Sequence, residues 1–408
     1  MSIKKYSALF VFFSILLTSI LLTINYVIDP YMIFQSKRLL GFNDKKPAAV
    51  NRSSLYKPYN VVNIHPKTII VGNSRPEMGI DPSSACWPTK NGTVYNLTFP
   101  GLGTYKQTQA LFHAVSTGQV KNILLGVDFS DFLHKKRKTK KTIWSNYESE
   151  FSSRLLVDAN FQKNQSYWLN KIRDFSAALF SLSVLNDSIY TLMSQTPNSS
   201  DRTYLGFNPA KDYHDIIRYE GTWVLFEQKQ SELNKRFSKK GLSIYDAGQW
   251  SLELEAIRRI IQLSLDKNIR LTLFINPYHY TYLESIRNAG YWNEFETFKK
   301  SLTHVVMQYG DNQVALWDFS LYSDYTVSAT PKKGVNIQSF QWFWEPAHYK
   351  SDLGEIMLSN MFGENCIKTK TKAVGVKLNA INIDSHLAQQ INHRSRSLQE
   401  LHSSTLTP

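Results

Sequence analysis

Two stretches of this chain carry residues that could do chemistry. Gly72-Asn73-Ser74-Arg75 directly follows the apolar run Thr68-Ile69-Ile70-Val71, and Glu345-Pro346-Ala347-His348 opens the last helix-like segment of the globular region. A serine hydroxyl is a weak nucleophile until a base takes its proton, and the base needs a carboxylate to orient it. The two stretches therefore outline a Ser-His-acid hydrolase or transferase, with Ser74 as nucleophile and His348 as base. Each is ordinary alone. Gly-x-Ser after a strand is also a plain strand-ending turn, and a histidine near a helix start is also a packing residue.

The elements that must position them read as α/β. Thr68–Val71, residues 93–97 and Asn122–Val127 are short continuous apolar runs, and residues 105–116 carry helical spacing between them. Such runs between helices indicate a mostly parallel sheet covered on both faces. The alternation resumes with a helix over Leu252–Asp266 and a strand over Arg270–Ile275. Helices over residues 280–289 and 294–309, a strand over 314–318 and a closing helix over 350–361 follow. Between them, residues 135–249 read as an insertion on one edge of the sheet, with a helical stretch at 169–183. Residues 31–66 read as a stalk or lead-in, 67–365 as the α/β domain and 366–408 as a loosely ordered polar tail. Ligands of open α/β sheets bind beyond the carboxyl ends of the strands. Ser74, Asp128, Asn276 and Asp318 all fall at or near such ends, and a loop after the last strand can return His348 to the same edge.

On these residues the chain resembles a known superfamily. Val71-Gly72-Asn73-Ser74-Arg75-Pro76-Glu77-Met78-Gly79 resembles the first block of SGNH/GDSL hydrolases, and more closely their membrane-anchored bacterial branch, similar to the acyltransferases that O-acetylate alginate and other envelope polymers. Tyr95-Asn96-Leu97-Thr98-Phe99-Pro100-Gly101 resembles the second block, and Trp344 to Tyr349, followed by Gly354, the last. The resemblance implies a three-layer α/β/α fold, a Ser74–His348–Glu345 triad and an oxyanion hole built from the N–H groups of Ser74 and Gly101. Three departures stand out. Asn73 and Glu345 each replace an Asp, and the third block, Gly126-Val127-Asp128-Phe129, lacks the Asn that donates to the oxyanion. An ionised Asp128 would repel that oxyanion, so Asp128 is expected to pair with Arg75. Asn276 either supplies the missing donor or is a strand-ending Asn-Pro turn, and His279 is a second candidate base.

The ends and the charge bound the setting. Residues 8–28 are uncharged and follow Lys4 and Lys5. About 20 apolar residues span a bilayer, no convincing Ala-x-Ala cleavage site follows, and the positive flank stays cytoplasmic. The reading is an uncleaved signal anchor with the body outside. The net charge is +14, much of it in residues 134–141, which suit anionic lipid or an acidic polysaccharide, or form a solvated loop. Nucleic acid is not expected for a body outside the cytoplasm. Cys86 and Cys366 are the only cysteines. They either pair in an oxidising compartment or remain two buried thiols. The chain holds 22 Tyr and 9 Trp, a richness that accompanies sugar binding and also ordinary cores. No metal-binding His spacing, phosphate loop or dinucleotide fingerprint is present, so no cofactor is expected.

Together these features lead us to expect a single-pass protein of a bacterial inner membrane that carries acyl groups, typically acetyl, to or from an envelope polysaccharide on the periplasmic side. A membrane-bound acyl-donor protein is the expected partner. The alternative is a catalytically inactive, glycan-binding scaffold subunit of the same fold.

Overall fold

The computed structural model describes residues 3–136, 150–246, 248–311, 313–334, 340–363, 366 and 374–406. Helix α1, Ile3–Ile28, is long and apolar enough to cross a membrane, and its most apolar stretch has no buried residue. Its last turn is different, because Asn25 and Ile28 are buried against the body. The lead-in that follows is folded rather than a loose stalk. The Asp29 carboxylate accepts the Ile33 N–H at 2.8 Å, and α2, Ser53–Ile64, carries Lys57 into the interior. That ammonium is fully buried between the Glu77 carboxylate (2.9 Å) and the Thr98 carbonyl (2.8 Å). A buried charge is tolerated only when paired this way.

The α/β body then begins. Strand β1, Thr68–Val71, leads into α3, Ser74–Gly79, and β2, Val94–Asn96, into α4, Thr104–Ser116. Strand β3, Asn122–Val127, leads into the short helix α5, Phe129–Phe132. The insertion is closed at its base by an antiparallel pair, β4 (His134–Lys135) on β5 (Leu242–Ser243). Between these strands lie α6 (Glu150–Ser153), α7 (Tyr167–Phe180), α8 (Leu182–Met193), α9 (Lys211–Tyr219) and α10 (Thr222–Phe237). The helix expected at 169–183 is thus two helices. Ser181 adopts an extended conformation and its hydroxyl caps α8 by accepting the Ser183 N–H. Of the basic run, residues 137–141 lie outside the described residues.

The second half supplies α11 (Leu252–Asp266), β6 (Arg270–Ile275), α12 (Tyr280–Asn288), α13 (Trp292–Tyr309) and β7 (Ala315–Asp318). A hairpin follows, β8 (Phe343–Glu345) on β9 (His348–Tyr349), then α14 (Ser351–Phe362), β10 (Val376–Lys377) and α15 (Ile383–Leu406). The main sheet runs β10-β7-β6-β3-β1-β2, parallel throughout except for β10. Alternate residues of its strands feed two cores. Ile69, Val71, Leu125 and Leu273 face one core, shared with α4, α11 and α13, while Ile70, Leu124 and Phe274 face the other, shared with α14. Burial on both faces is why the strands are continuously apolar rather than alternating.

Two further sequence readings are settled here. Cys86 and Cys366 form a disulfide across 280 residues of sequence. The described part of the C-terminal segment, residues 374–406, is folded rather than loose: β10 extends the sheet, and α15 sends Ile383 and Leu387 into the core and His386 to Asp318 (2.9 Å). Asp318 also holds the buried ammonium of Lys299 at 2.7 Å, so this strand-end acid serves the fold. The apolar stripe of α15 is thin, Ile383, Leu387 and Ile391 at four-residue spacing, and it is hidden among polar residues. If the segment is folded as described, Leu387→Ala costs about 2–5 kcal/mol in urea unfolding. A truly loose tail would give no change.

Candidate active site

The turn after β1 is shaped by glycine. Gly72 has φ +152°, and a Cβ there would press on the Pro76 ring (2.7 Å) and the Gly126 carbonyl oxygen (3.0 Å). Asn73 then caps α3, its Oδ1 accepting the Arg75 N–H at 3.1 Å. An Asn at this position thus caps the helix as an Asp would. Ser74 becomes the first residue of the helix, where its own N–H has no intrahelical acceptor.

The partner stretch is a β-hairpin rather than a helix start. Glu345 and His348 lie opposite each other across β8 and β9, with Pro346 and Ala347 as the turn. Cross-strand pairing thus sets the carboxylate beside the imidazole. Helix α14 then lies directly on α3: a Cβ on Gly354 would sit 1.7 Å from the Gly79 carbonyl oxygen, and one on Gly79 would strike the Tyr349 ring at 1.9 Å. Only hydrogens fit at this crossing, and it brings the hairpin to the serine turn.

The result is a connected chain. Ser74 Oγ lies 2.7 Å from His348 Nε2, His348 Nδ1 bonds Glu345 Oε1, and Glu345 Oε2 accepts the Ala347 N–H at 2.6 Å. Glu345 is buried while Ser74 is half-exposed. Burial works to raise the Glu345 pKa, but His348, Lys229 and the Ala347 N–H outweigh it and hold the carboxyl below its usual value. An ionised acid fixes the Nδ1–H tautomer, which leaves Nε2 free to take the serine proton.

Around this chain most of the expected residues find a place. Asp128 pairs with Arg75 at 2.6 Å and caps α5 through Ser130 N (2.9 Å), so its charge is turned away into the fold. The Arg75 guanidinium lies over the Tyr278 ring, 5.2 Å from its centroid. The second block is tied beside the first by Phe99 N–H to Gly72 O at 3.0 Å. Two residues on, Gly101 is exposed, with φ +73° and open space where a Cβ would be. Asn276 is the exception. Its amide donates to the Val127 carbonyl (3.1 Å), its oxygen accepts the Tyr349 hydroxyl (3.3 Å), and it has no exposure. A donor sealed inside the sheet edge cannot meet a substrate oxygen, so Asn276 is a strand-end tether. His279 is likewise walled in. It is bonded to Thr281 and Ser328, and burial pushes its pKa down to about 3. It is no base for Ser74.

Several neighbours escaped sequence reasoning. Lys229, from α10 of the insertion, lies 3.8 Å from Glu345 Oε1, and nothing in its local sequence marks it. Tyr213 and His214 of α9 edge the Trp344 ring at 5.9 and 5.3 Å. The insertion therefore forms one wall of the site. Asp131 accepts from Gln107 (3.0 Å) and, at 3.4 Å, from Asn73. Its position three residues after Asp128 at a strand end was the available signal. Elsewhere, His134, Asp246 and Glu253 bring potential metal ligands within 4.8 Å of one another. There His134 already bonds Glu253 (3.0 Å), which also accepts the Ser251 hydroxyl (3.1 Å). These side chains form a hydrogen-bonded cluster at the base of the insertion.

No protein-family model matches the chain, and no curated protein matches it. What the arrangement can do chemically follows from its geometry: transfer a proton from a serine hydroxyl to an imidazole held by a carboxylate, beside exposed backbone near Gly101.

Asp131 yields a pH prediction. Burial, and then the neighbouring Asp128 charge, push its pKa from 3.8 up to about 7. The folded state therefore binds this proton more tightly than the unfolded chain, and stability falls as pH rises between those values. In urea unfolding across that range, Asp131→Asn should remove this part of the decline. An identical pH slope in both proteins would show that Asp131 titrates normally.

Proposed function

We propose that this chain is a serine-dependent acyltransferase or esterase of SGNH type, an α/β/α domain held on the outer face of a bacterial inner membrane by α1. The observation that carries the reading is the Ser74–His348 hydrogen bond of 2.7 Å with Glu345 on the far imidazole nitrogen. The stretches that meet here are 274 positions apart.

In this mechanism His348 Nε2 takes the Ser74 proton as Oγ attacks an acyl carbonyl. Glu345 stabilises the imidazolium without accepting the proton. The tetrahedral oxyanion is met by the N–H groups of Ser74 and Gly101, an arrangement worth several kcal/mol in related chemistry. The imidazolium then protonates the leaving oxygen, and the acyl group remains as an ester on Ser74. In the second half His348 deprotonates the acceptor, a sugar hydroxyl for a transferase or water for an esterase. Attack on the ester releases the product and returns the proton to Ser74.

The setting supports transfer to an envelope polysaccharide, with a membrane-bound protein as acyl donor. The Lys4-Lys5 flank favours a cytoplasmic N-terminus, and the Cys86–Cys366 disulfide favours an oxidising compartment for the body. One observation favours a second reading, a glycan-binding subunit without turnover: the Asn276 amide is spent inside the fold, so this side chain gives no third oxyanion donor beside the N–H groups of Ser74 and Gly101.

The two readings part on one assay. The full-length protein in detergent should hydrolyse a chromogenic acetyl ester, or pass its acetyl group to an added oligosaccharide. Ser74→Ala or His348→Ala should lower kcat by roughly 10³–10⁶-fold, as for other triads acting as a unit, and Glu345→Gln by about 10³–10⁴-fold through the wrong tautomer. Equal rates in all four proteins, with oligosaccharide binding retained, would leave the binding subunit as the answer.

A further inference from the structure

Helices α7 and α8 pack on the end of α1, and Asn25 clasps their corner. Its amide donates to the carbonyls of Leu179 (2.8 Å) and Ser181 (3.3 Å), and its oxygen accepts from Ser188 (3.0 Å). Asn25 is within the last turn of α1, about 5 Å from its end at 1.5 Å per residue. The uncharged run 8–28 is about 30 Å long, the thickness of a hydrocarbon core. The Asn25 clasp therefore holds the α7–α8 corner at the depth where that core meets the headgroups.

The faces that α7 and α8 turn outward suit that depth. Trp168 (59% exposed), Leu169 (72%) and Ile172 (64%) point away from the body on α7. Phe180 (56%) and Leu182 (73%) flank the corner, and Met193 (79%) ends α8. Large exposed apolar patches on a folded protein mark contact surfaces. The loop after α1 adds Leu39, Leu40 and Phe42, held at the same level because the Asn43 amide donates to the Val27 carbonyl at 2.9 Å.

The charges sort the same way. Asp174 and Asp187 are the only acids between residues 166 and 193, and both turn inward. Asp174 pairs with Arg154 (2.6 Å) and accepts the Tyr59 hydroxyl (2.7 Å). Asp187 accepts the Tyr31 hydroxyl and lies 3.6 Å from Arg52. The basic residues on this hairpin are Lys171 and exposed Arg173. An apolar face bordered by cations and free of outward acids is the pattern of a helix lying in an anionic lipid interface.

We infer that the α7–α8 hairpin is a second membrane-contacting element, lying in the phospholipid interface beside the end of α1 with its corner inserted. The inference rests on α1 occupying a bilayer and is independent of the acyl-transfer chemistry. It gives the insertion a purpose: the same segment that supplies Lys229 to Glu345 fixes the height of the site above the lipid.

The test uses the full-length protein reconstituted in phosphatidylcholine/phosphatidylglycerol vesicles that contain a phospholipid with a photoactivatable acyl chain, followed by peptide mapping. Cross-links are expected on α1 and on residues 168–193. In Phe180→Glu/Leu182→Glu, whose altered residues are surface-exposed, hairpin labelling should fall about tenfold or more while α1 labelling is unchanged. Labelling confined to α1 in the wild type would overturn the hairpin assignment and leave the anchor standing. Absence of label from α1 as well would remove the anchor and the inference together.

Discussion

The contact between the backbones of α3 and α14 is the constraint on which the site depends. Gly79 and Gly354 let the two helices come into backbone contact, and the placement of His348 against Ser74 is set from that crossing. β9 enters it with Tyr349 over Gly79, so His348, one residue earlier, faces the serine turn. A methyl group on Gly354 would strike the α3 backbone and one on Gly79 the Tyr349 ring of β9, and either would shift the hairpin against the serine turn by more than the tolerance of a 2.7 Å hydrogen bond. The interior near this crossing is further pinned by the buried Lys57–Glu77 pair, which ties the lead-in helix to the acid next to Met78 in α3.

Much of this was legible beforehand, for a physical reason. Strands β1, β3 and β6 are buried on both faces and so must be uniformly apolar, which made their limits readable to the residue. Ser74 and His348 were legible because strand ends and the loops after them converge on one rim of a parallel sheet. The Arg75–Asp128 pair followed from charge alone, since an isolated carboxylate could not sit near a developing oxyanion.

What stayed hidden depended on contacts between segments distant in sequence. Asn276 has the same local sequence whether its amide faces a substrate or a neighbouring carbonyl, and the Val127 carbonyl decided it. Lys229 reaches Glu345 only because the insertion folds back over the hairpin. The C-terminal segment looked loose because polar composition dominates its average, while α15 docks through a few side chains and one histidine on Asp318. The lead-in helix α2 hid for a related reason: its key residue is a lysine, and nothing local predicts that a lysine will be buried against Glu77.

The account stands on Ser74 being activated by His348. The most direct test is the rate at which a fluorophosphonate modifies the full-length protein, with the adduct located by peptide mapping. An activated serine predicts a single adduct on Ser74, formed rapidly in the wild type and suppressed in His348→Ala. An adduct elsewhere, or Ser74 labelling as fast without His348 as with it, would contradict it.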